Sequence, residues 1–281
     1  MPITLNPDIR SLILKHNQFK TVDASISFYP SLQYLDLSSN KLEKLPDKVY
    51  ISQHDLEDLI LSDNNISEIS KRTFLGLRKL KNLDVKNNKI RKLLSESFSD
   101  LQNLEVLELS DNSISTIDPK AFRNLRRLKV LDLKNNALDT VPTEPFKSIK
   151  TLIELDLSGN NIAVISTCAL QSLSTLVIIN MARNNLLKIN EEGFSGLTSV
   201  KELNIEDNNI DKVQTCALSR MITLEKIHLG SNPYVKIPRN ALVGNVYRNM
   251  LNISHCPRLI KINASAFKFN IRLKTIVISQ P

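Results

Sequence analysis

The stretch Leu128-Lys129-Val130-Leu131-Asp132-Leu133-Lys134-Asn135-Asn136-Ala137-Leu138 contains the spacing that decides the fold, because its pattern of apolar residues and one asparagine recurs along most of the chain. Counted from Asn136, an asparagine occupies the same slot at intervals of 24 residues, at Asn40, Asn64, Asn88, Asn112, Asn160, Asn184, Asn208 and Asn232. A constant period of this length indicates one stacked architecture built from repeated units.

Two different periodicities lie within each repeat. Leu131 and Leu133 alternate with Val130 and Asp132, which predicts a short strand with one buried face and one open face. Apolar residues spaced by three come before the strand, at Phe122, Leu125 and Leu128. This second spacing predicts a helical or 3-10 return. Strands that all run the same way, each followed by such a return, form a parallel sheet with about 4.8 Å between turns.

The repeated asparagine predicts a ladder of side-chain hydrogen bonds. A tight turn inside a stack leaves backbone donors and acceptors that water does not reach, and an asparagine amide supplies both kinds of partner. Cys256 occupies the same slot one repeat after Asn232, where a thiol acts as a weak donor. Cys168 and Cys216 lie two repeats apart, about 10 Å by strand spacing, whereas a disulfide needs Cα atoms within about 7 Å. We therefore expect free cysteines.

The composition suits a narrow interior filled by aliphatic side chains. The 281 residues are 42% hydrophobic but only 5% aromatic, with no tryptophan. We expect no membrane segment within the chain, since no stretch approaches the roughly 18 consecutive apolar residues that a membrane helix needs. The first residues also lack the basic start and apolar stretch of a signal peptide. The formal net charge of +8 favours anionic partners but does not bear on the fold.

No pattern in the sequence predicts an enzyme. The four histidines do not converge with cysteines or carboxylates at metal-ligand spacing, and neither a nucleophile elbow nor a phosphate loop is present. We therefore expect no catalytic residue, no cofactor, no metal and no small-molecule substrate.

These repeats resemble the leucine-rich repeat superfamily. Their 24-residue form, with Phe or Leu ten residues after the asparagine, is similar to the typical extracellular class found in Slit, Toll-like receptors, chaoptin and neuronal leucine-rich repeat receptors. The resemblance covers residues 9 to 278. It implies an α/β fold, a horseshoe-shaped solenoid with a concave parallel sheet and short helical or 3-10 returns on the convex side, which binds proteins.

The resemblance also bears on domain organisation. We expect residues 1–281 to form a single solenoid of about eleven repeats plus a terminal strand. Extracellular members usually carry cysteine-rich caps at both ends, and no such caps occur in this sequence. Since open ends would expose the core, we expect the chain to be a fragment of a longer protein.

The predicted ligand-binding residues face outward from the strands, on the concave face. They are Val106, Val130, Asp132, Glu154, Asp156 and Ile178. The apolar members form a strip on an otherwise polar face, which is typical of a contact centre. The carboxylates Asp84, Glu108, Asp132 and Asp156 allow two interpretations: a site for a basic partner surface or for calcium, or acidic residues that are ordinary at this place and offset by Lys86 and Lys134. We favour the second.

Two further sets of residues are candidate sites outside the strip. Basic residues in the return segments are candidates for binding a polyanion such as heparan sulfate or nucleic acid. They include Arg78, Lys79, Arg123, Arg126 and Arg127. The alternative, a solvated surface, is favoured because no aromatic residues interleave for base stacking. Sequons predict glycosylation at Asn65, Asn252 and Asn263.

The sequence therefore predicts a non-enzymatic protein–protein recognition module. We expect it to be part of the ectodomain of a cell-surface or secreted receptor in adhesion, guidance or innate immune sensing, with a protein ligand or co-receptor on its concave face. One alternative is an intracellular leucine-rich repeat scaffold with a cytoplasmic location. Another is a matrix protein that binds heparan sulfate or a similar polyanion.

Overall fold

The computed structural model describes residues 6–189, 192–214, 218, 221–238, 249–267, 270 and 272–279. The chain divides into two compact units. Unit 1 comprises Met1–Ala137 and Glu144–Thr151, and unit 2 comprises Leu138–Thr143 and Leu152–Pro281.

Unit 1 is built on a parallel sheet of short strands. Its strands are β1 (Ser11–Ile13), β2 (Tyr34–Asp36), β3 (Asp58–Ile60), β4 (Asn82–Asp84), β5 (Lys92–Leu93), β6 (Val106–Glu108), β7 (Thr116–Ile117) and β8 (Val130–Asp132). The main sheet has the order β1-β2-β3-β4-β6-β8, and β5 pairs separately with β7. Each strand of the main sheet pairs in register with the strand one repeat away, as Leu107 does with Leu131.

Unit 2 repeats this design. Its strands are β9 (Glu154–Asp156), β10 (Ile178–Asn180), β11 (Lys188–Ile189), β12 (Glu202–Asn204), β13 (Lys212–Val213), β14 (Lys226–His228), β15 (Lys236–Ile237), β16 (Met250–Asn252), β17 (Lys261–Ile262) and β18 (Thr275–Val277). The main sheet has the order β9-β10-β12-β14-β16-β18, while β11 pairs with β13 and β15 pairs with β17. Each unit is therefore a parallel solenoid, as the sequence predicts.

Helix is scarce among the described residues. A single-turn α-helix, α1, spans Thr143–Phe146, and 3-10 helices span Ala24–Phe28 and Ala264–Phe267. Other returns are turns closed by hydrogen bonds three residues apart, as where Leu125 N donates to Phe122 O at 3.3 Å. A spacing of three apolar residues needs only such turns, since each one brings an apolar side chain back to the core.

Aliphatic and aromatic side chains fill the core of unit 1. The central leucine of the interior strands is fully buried, for example Leu107 and Leu131. Behind them, Tyr50, Phe74, Phe98 and Phe122 stack in sequence, with ring centroids 6.5, 6.0 and 6.3 Å apart. Each such pair adds about 0.5–1.5 kcal/mol beyond the burial of its area.

The asparagine ladder is present, and its amides both donate and accept hydrogen bonds. Asn136 Nδ2 lies 3.0 Å from Leu133 O, 3.2 Å from Lys134 O and 3.0 Å from Leu109 O of the preceding turn. Its Oδ1 accepts the Ile114 N–H of that turn at 2.8 Å. Each ladder amide therefore closes its own turn and joins it to the turn before.

Cys256 takes the ladder slot in unit 2, which confirms the structural role predicted for it. Its Sγ is 3.4 Å from Ser254 O and 3.1 Å from Tyr234 Oη. Tyr234 is buried, and burial together with the contact to the thiol raises the pKa of its hydroxyl. Cys168 is a free, half-buried cysteine, and Cys216 lies outside the described residues.

Candidate functional site

The outward sheet face of unit 1 brings three of the predicted ligand-binding residues together. Parallel pairing of β6 with β8 sets Val106 beside Val130 and Glu108 beside Asp132, about 4.8 Å apart across the strands. All four side chains are half-buried. The face therefore presents an apolar pair next to a carboxyl pair. We call Val106, Val130, Glu108 and Asp132 the sheet patch.

Aspartate at this strand position has a structural task. Asp132 Oδ1 accepts the Lys134 N–H at 2.8 Å, and Asp84 Oδ1 accepts the Lys86 N–H at 2.9 Å. The short side chain thus closes the turn that follows the strand, an Asx-type contact. This arrangement supports the interpretation that aspartates are ordinary at this place in the repeat.

Glu108 departs from that rule, because its side chain is one methylene longer and it lies in register between Asp84 and Asp132. Burial and the neighbouring carboxylates, with Asp132 ahead of Asp84, raise the pKa of Glu108 to about 7, and Lys86 only partly opposes them. The sheet patch therefore carries a proton that exchanges near neutral pH. The sequence signal for this raised pKa is a glutamate within a row of aspartates. Because the four carboxylates were interpreted as one row, this signal was missed.

Unit 2 holds the other three predicted ligand-binding residues. Pairing of β9 with β10 places Glu154 beside Ile178, whose side chain is 37% exposed. Asp156 accepts the Ser158 N–H at 2.7 Å and the Asn180 Nδ2–H at 2.9 Å. Two donors thus satisfy the Asp156 carboxylate within unit 2.

Charges in the position just before the strand neutralise one another along unit 1. Lys81 Nζ contacts Glu57 Oε2 at 2.7 Å, and Lys129 Nζ contacts Glu105 Oε2 at 2.7 Å. The hydrogen bond and charge of Glu57 raise the pKa of Lys81, and those of Lys129 lower the pKa of Glu105. Such exposed pairs add little stability, but they leave Glu57, Lys81, Glu105 and Lys129 together without net charge.

The structure divides the basic return residues into two groups. Lys79 Nζ lies 2.7 Å from Asp55 Oδ1, and Arg123 Nη1 lies 2.7 Å from Glu96 Oε1. In contrast, Arg78, Arg126 and Arg127 are exposed, and none forms a salt bridge with an acidic residue that the structure describes. The candidate polyanion-binding residues are therefore not equivalent.

The three sequon asparagines are half-buried and differ in their contacts. Asn252 Nδ2, the atom to which a glycan would be joined, donates to Glu206 Oε1 at 2.5 Å. Asn263 Oδ1 accepts the Ser265 N–H at 2.9 Å, and its side-chain Nδ2 has no hydrogen bond to another described residue. Glycosylation at Asn65 and Asn263 stays a prediction, and at Asn252 it would require the contact with Glu206 to break.

The described residues contain neither a metal site nor a membrane-spanning helix. Within the ranges that the structure describes, no group of three or more His, Cys, Asp or Glu side chains is arranged to hold a metal ion. Among those same residues no helix combines the length and apolar character needed to cross a membrane.

Stacked parallel turns tied by an asparagine ladder define a class of protein, the leucine-rich repeat solenoid with its protein-binding fold. A family model described as leucine rich repeat matches residues 30–90, 78–138, 126–186, 151–210 and 174–234. Because these matches extend over more than half of the sequence, the chain belongs to the leucine-rich repeat family.

Several known proteins are similar to the chain. Fibromodulin of Sus scrofa is 37% identical over 73 residues, which are 26% of this chain and 48% of fibromodulin, so the chain spans about half of that relative. The structure of a TLR13–ssRNA13 complex superposes with a TM-score of 0.80 at 25% identity, over 94% of this chain and 41% of that chain.

Two bacterial structures are also similar. A leucine-rich repeat protein of Leptospira interrogans has a TM-score of 0.70 at 28% identity, over 80% of this chain and 55% of its own. An internalin of Listeria monocytogenes has a TM-score of 0.75 at 21% identity, over 96% of this chain and 73% of its own, and this likeness concerns the fold alone.

Proposed function

We propose that the chain is a non-enzymatic protein-recognition module of a cell-surface or secreted receptor, and that its protein ligand binds on the outward sheet face of unit 1. The observation that carries this proposal is the sheet patch, in which Val106 and Val130 lie side by side next to Glu108 and Asp132. The 24-residue form of the repeats, which is similar to the extracellular class, supports a location outside the cell rather than in the cytoplasm.

Recognition at such a face rests on shape and charge rather than on chemistry. The strands hold the patch residues at fixed spacing, since each strand is hydrogen-bonded within the sheet and each turn is closed by a ladder asparagine. A rigid surface loses little entropy on binding. Burial of the valines supplies affinity, and the carboxyl groups beside them orient a partner and exclude unsuitable ones.

A paired capture experiment tests this proposal. Immobilised wild-type protein, Val130→Arg and the control Val164→Arg, which changes a 46% exposed valine of unit 2, are incubated with cell-surface extract and crosslinked. Proteins held by wild type and by Val164→Arg should be depleted on Val130→Arg. Equal recovery on all three, with matching thermal unfolding, would remove the sheet patch as the binding site.

A further inference from the structure

Three arginines on the returns of unit 1, Arg78, Arg126 and Arg127, form no salt bridge with an acidic residue that the structure describes, although the charge of Arg127 acts on Glu105. A paired cation often has a carboxylate one repeat away, as Lys79 has Asp55 and Lys129 has Glu105. Arg78 and Arg126 have no acid at either position 24 residues distant, where His54, Gln102 and Lys150 occur. The corresponding neighbours of Arg127 are Asn103 and Thr151.

Arg78 and Arg126 occupy the same position of their repeats, four residues before strands β4 and β8. Two turns therefore separate them, which corresponds to about 10 Å at the strand spacing of a parallel sheet. Gln102 holds the same position in the turn between, so no carboxylate interrupts the row. Arg127 follows Arg126 directly and adds a third guanidinium.

The backbone N–H and C=O groups of Arg78 and Arg126 make equivalent hydrogen bonds. Arg78 N–H donates to Gly76 O at 2.8 Å, and Arg126 N–H donates to Asn124 O at 2.8 Å. Their carbonyl oxygens accept side-chain donors from the following turn, Asn103 Nδ2 at 2.7 Å and Thr151 Oγ1 at 3.3 Å respectively. The two side chains therefore leave the surface from fixed, equivalent backbone positions.

A groove adjoins the first of these arginines. It encloses about 500 Å³ and is lined by Ile51, His54, Leu75, Gly76, Arg78, Asp100, Gln102 and Asn103. Ile51 and Leu75 give it an apolar part, and Asp100 is the acidic residue of the lining. The groove can thus receive an extended chain that has both apolar ring faces and anionic groups.

We propose that this surface, the arginine flank of Arg78, Arg126 and Arg127, binds a sulfated polysaccharide. A guanidinium group can donate two N–H hydrogen bonds to two oxygens of one sulfate or carboxylate group. Because the arginines leave the surface from fixed backbone positions, binding costs less conformational entropy. Single-stranded nucleic acid is the less suitable polyanion, because the aromatic rings of these returns, Phe74, Phe98, Phe122 and Phe146, are buried in the core and offer no face on which bases could stack. The arginine flank is a second site, separate in residues from the sheet patch.

Heparin retention with matched variants tests the proposal. The variant Arg78→Ala/Arg126→Ala/Arg127→Ala is compared with Lys79→Ala/Arg123→Ala/Lys129→Ala, which removes the same charge from cations that have acidic partners. The first variant should lose about tenfold in heparin affinity at 0.15 M salt, and the second less than about threefold. Thermal unfolding checks that both remain folded.

Three outcomes would overturn the arginine flank. Equal losses in the two triple variants would mean that net charge alone retains heparin, and unchanged retention by the first would exclude its arginines. Competition by a single-stranded oligonucleotide as strong as that by heparin would contradict the ligand class. Val130→Arg should bind heparin as wild type does. The capture experiment and the heparin experiment therefore test the sheet patch and the arginine flank independently.

Discussion

Asn136 joins two turns of unit 1 through one amide, and its removal is the sharpest residue-level test of the ladder. Leucine in its place leaves the buried Ile114 N–H without its acceptor, and it removes one of two donors to the Leu109 carbonyl, which keeps the bond from Asn112 Nδ2. At about 1–3 kcal/mol for an unsatisfied buried group, Asn136→Leu should lower the free energy of unfolding by about 2 kcal/mol in urea titrations.

Asn161→Leu is the matched control, since Asn161 is exposed and lies outside the ladder. This substitution should change the free energy of unfolding by less than about 0.5 kcal/mol. If Asn136→Leu and Asn161→Leu lowered the free energy of unfolding by similar amounts, the loss would not depend on the ladder hydrogen bonds, and the hydrogen-bond explanation would fail.

Glu108 gives the structure a dependence on pH that can be measured. Its pKa is raised from 4.5 to about 7, so the folded state binds the proton more tightly than the unfolded state. The resulting stability is present below pH 4.5 and is lost as the pH rises through 7. Glu108→Gln fixes the neutral form, and it should therefore stabilise the protein at pH 8 but have little effect at pH 4.5, as measured by urea unfolding at both values.

Glu105→Gln provides the opposite case within the same turn. The hydrogen bond from Lys129 lowers the pKa of Glu105, so its ion pair stabilises the fold at pH 8 and is lost as the pH falls through the lowered pKa. This variant should be slightly less stable than wild type at pH 8. If Glu105→Gln and Glu108→Gln shifted stability in the same direction at pH 8, the assignment of a raised pKa to Glu108 would be wrong.

At the scale of the elements, two glycines occupy turns for different structural reasons. Gly76 has φ of +104°, and a Cβ there would meet Ile51 Cα at 2.7 Å and Tyr50 O at 2.8 Å. Gly159 has φ of +66°, the region that Asn87 and Asn135 occupy at the same position of their repeats. Gly76 is thus required by the close approach of two turns, whereas Gly159 is replaceable.

Gly76→Ala should therefore lower the free energy of unfolding by about 2 kcal/mol or more, because both the backbone angle and the contact with Ile51 oppose a side chain. Gly159→Asn should stay within about 0.5 kcal/mol of wild type. Thermal and urea unfolding of the two variants measure the difference. Equal stability of the two variants would contradict the distinction between them.

The elements that the sequence predicted well are those fixed by a repeated local pattern. Alternation at Leu131 and Leu133 predicted β8, and the asparagine period predicted the ladder, since both depend on spacing alone. The short pairs such as β5 with β7 were not predicted, because two residues give no readable alternation. Helix was expected more broadly than it occurs, since a spacing of three does not distinguish a 3-10 helix from successive turns.

The candidate sites depended on side-chain contacts that spacing does not encode. Outward rows containing Val106, Val130 and Asp132 follow from the strand period and were predicted correctly as neighbours in unit 1. The raised pKa of Glu108 depends on its burial between two carboxyl groups, so it required coordinates. Which residues bind a ligand stays a prediction.

At the scale of the whole molecule, the position of a charged residue within its repeat says more about its surroundings than the net charge does. A net charge of +8 suggests a generally basic surface, yet several lysines are paired with acids one repeat away, as Lys81 is with Glu57. Arg78, Arg126 and Arg127 have no acid 24 positions away in either direction, but this criterion alone does not identify cations without a salt bridge, since Arg123 meets it and is paired with Glu96, 27 positions away.

The proposed protein ligand and the proposed polysaccharide bind at different positions of neighbouring repeats. Residues of the sheet patch lie in strands β6 and β8, whereas those of the arginine flank lie in the returns before β4 and β8. A receptor arranged in this way could hold a matrix polyanion without covering the face that recognises its protein ligand.

Carboxyl footprinting of the complex is the most direct test of the central claim that the protein ligand covers the sheet patch. The partner retained by wild type in the capture experiment is added, carboxyl groups are labelled, and labelling is quantified by mass spectrometry at Glu108 and Asp132, with Asp55 and Glu144 as references on the returns. The account predicts that the partner reduces labelling of Glu108 and Asp132 and leaves Asp55 and Glu144 unchanged. Protection of the return carboxylates, with Glu108 and Asp132 labelled as in the free protein, would contradict it.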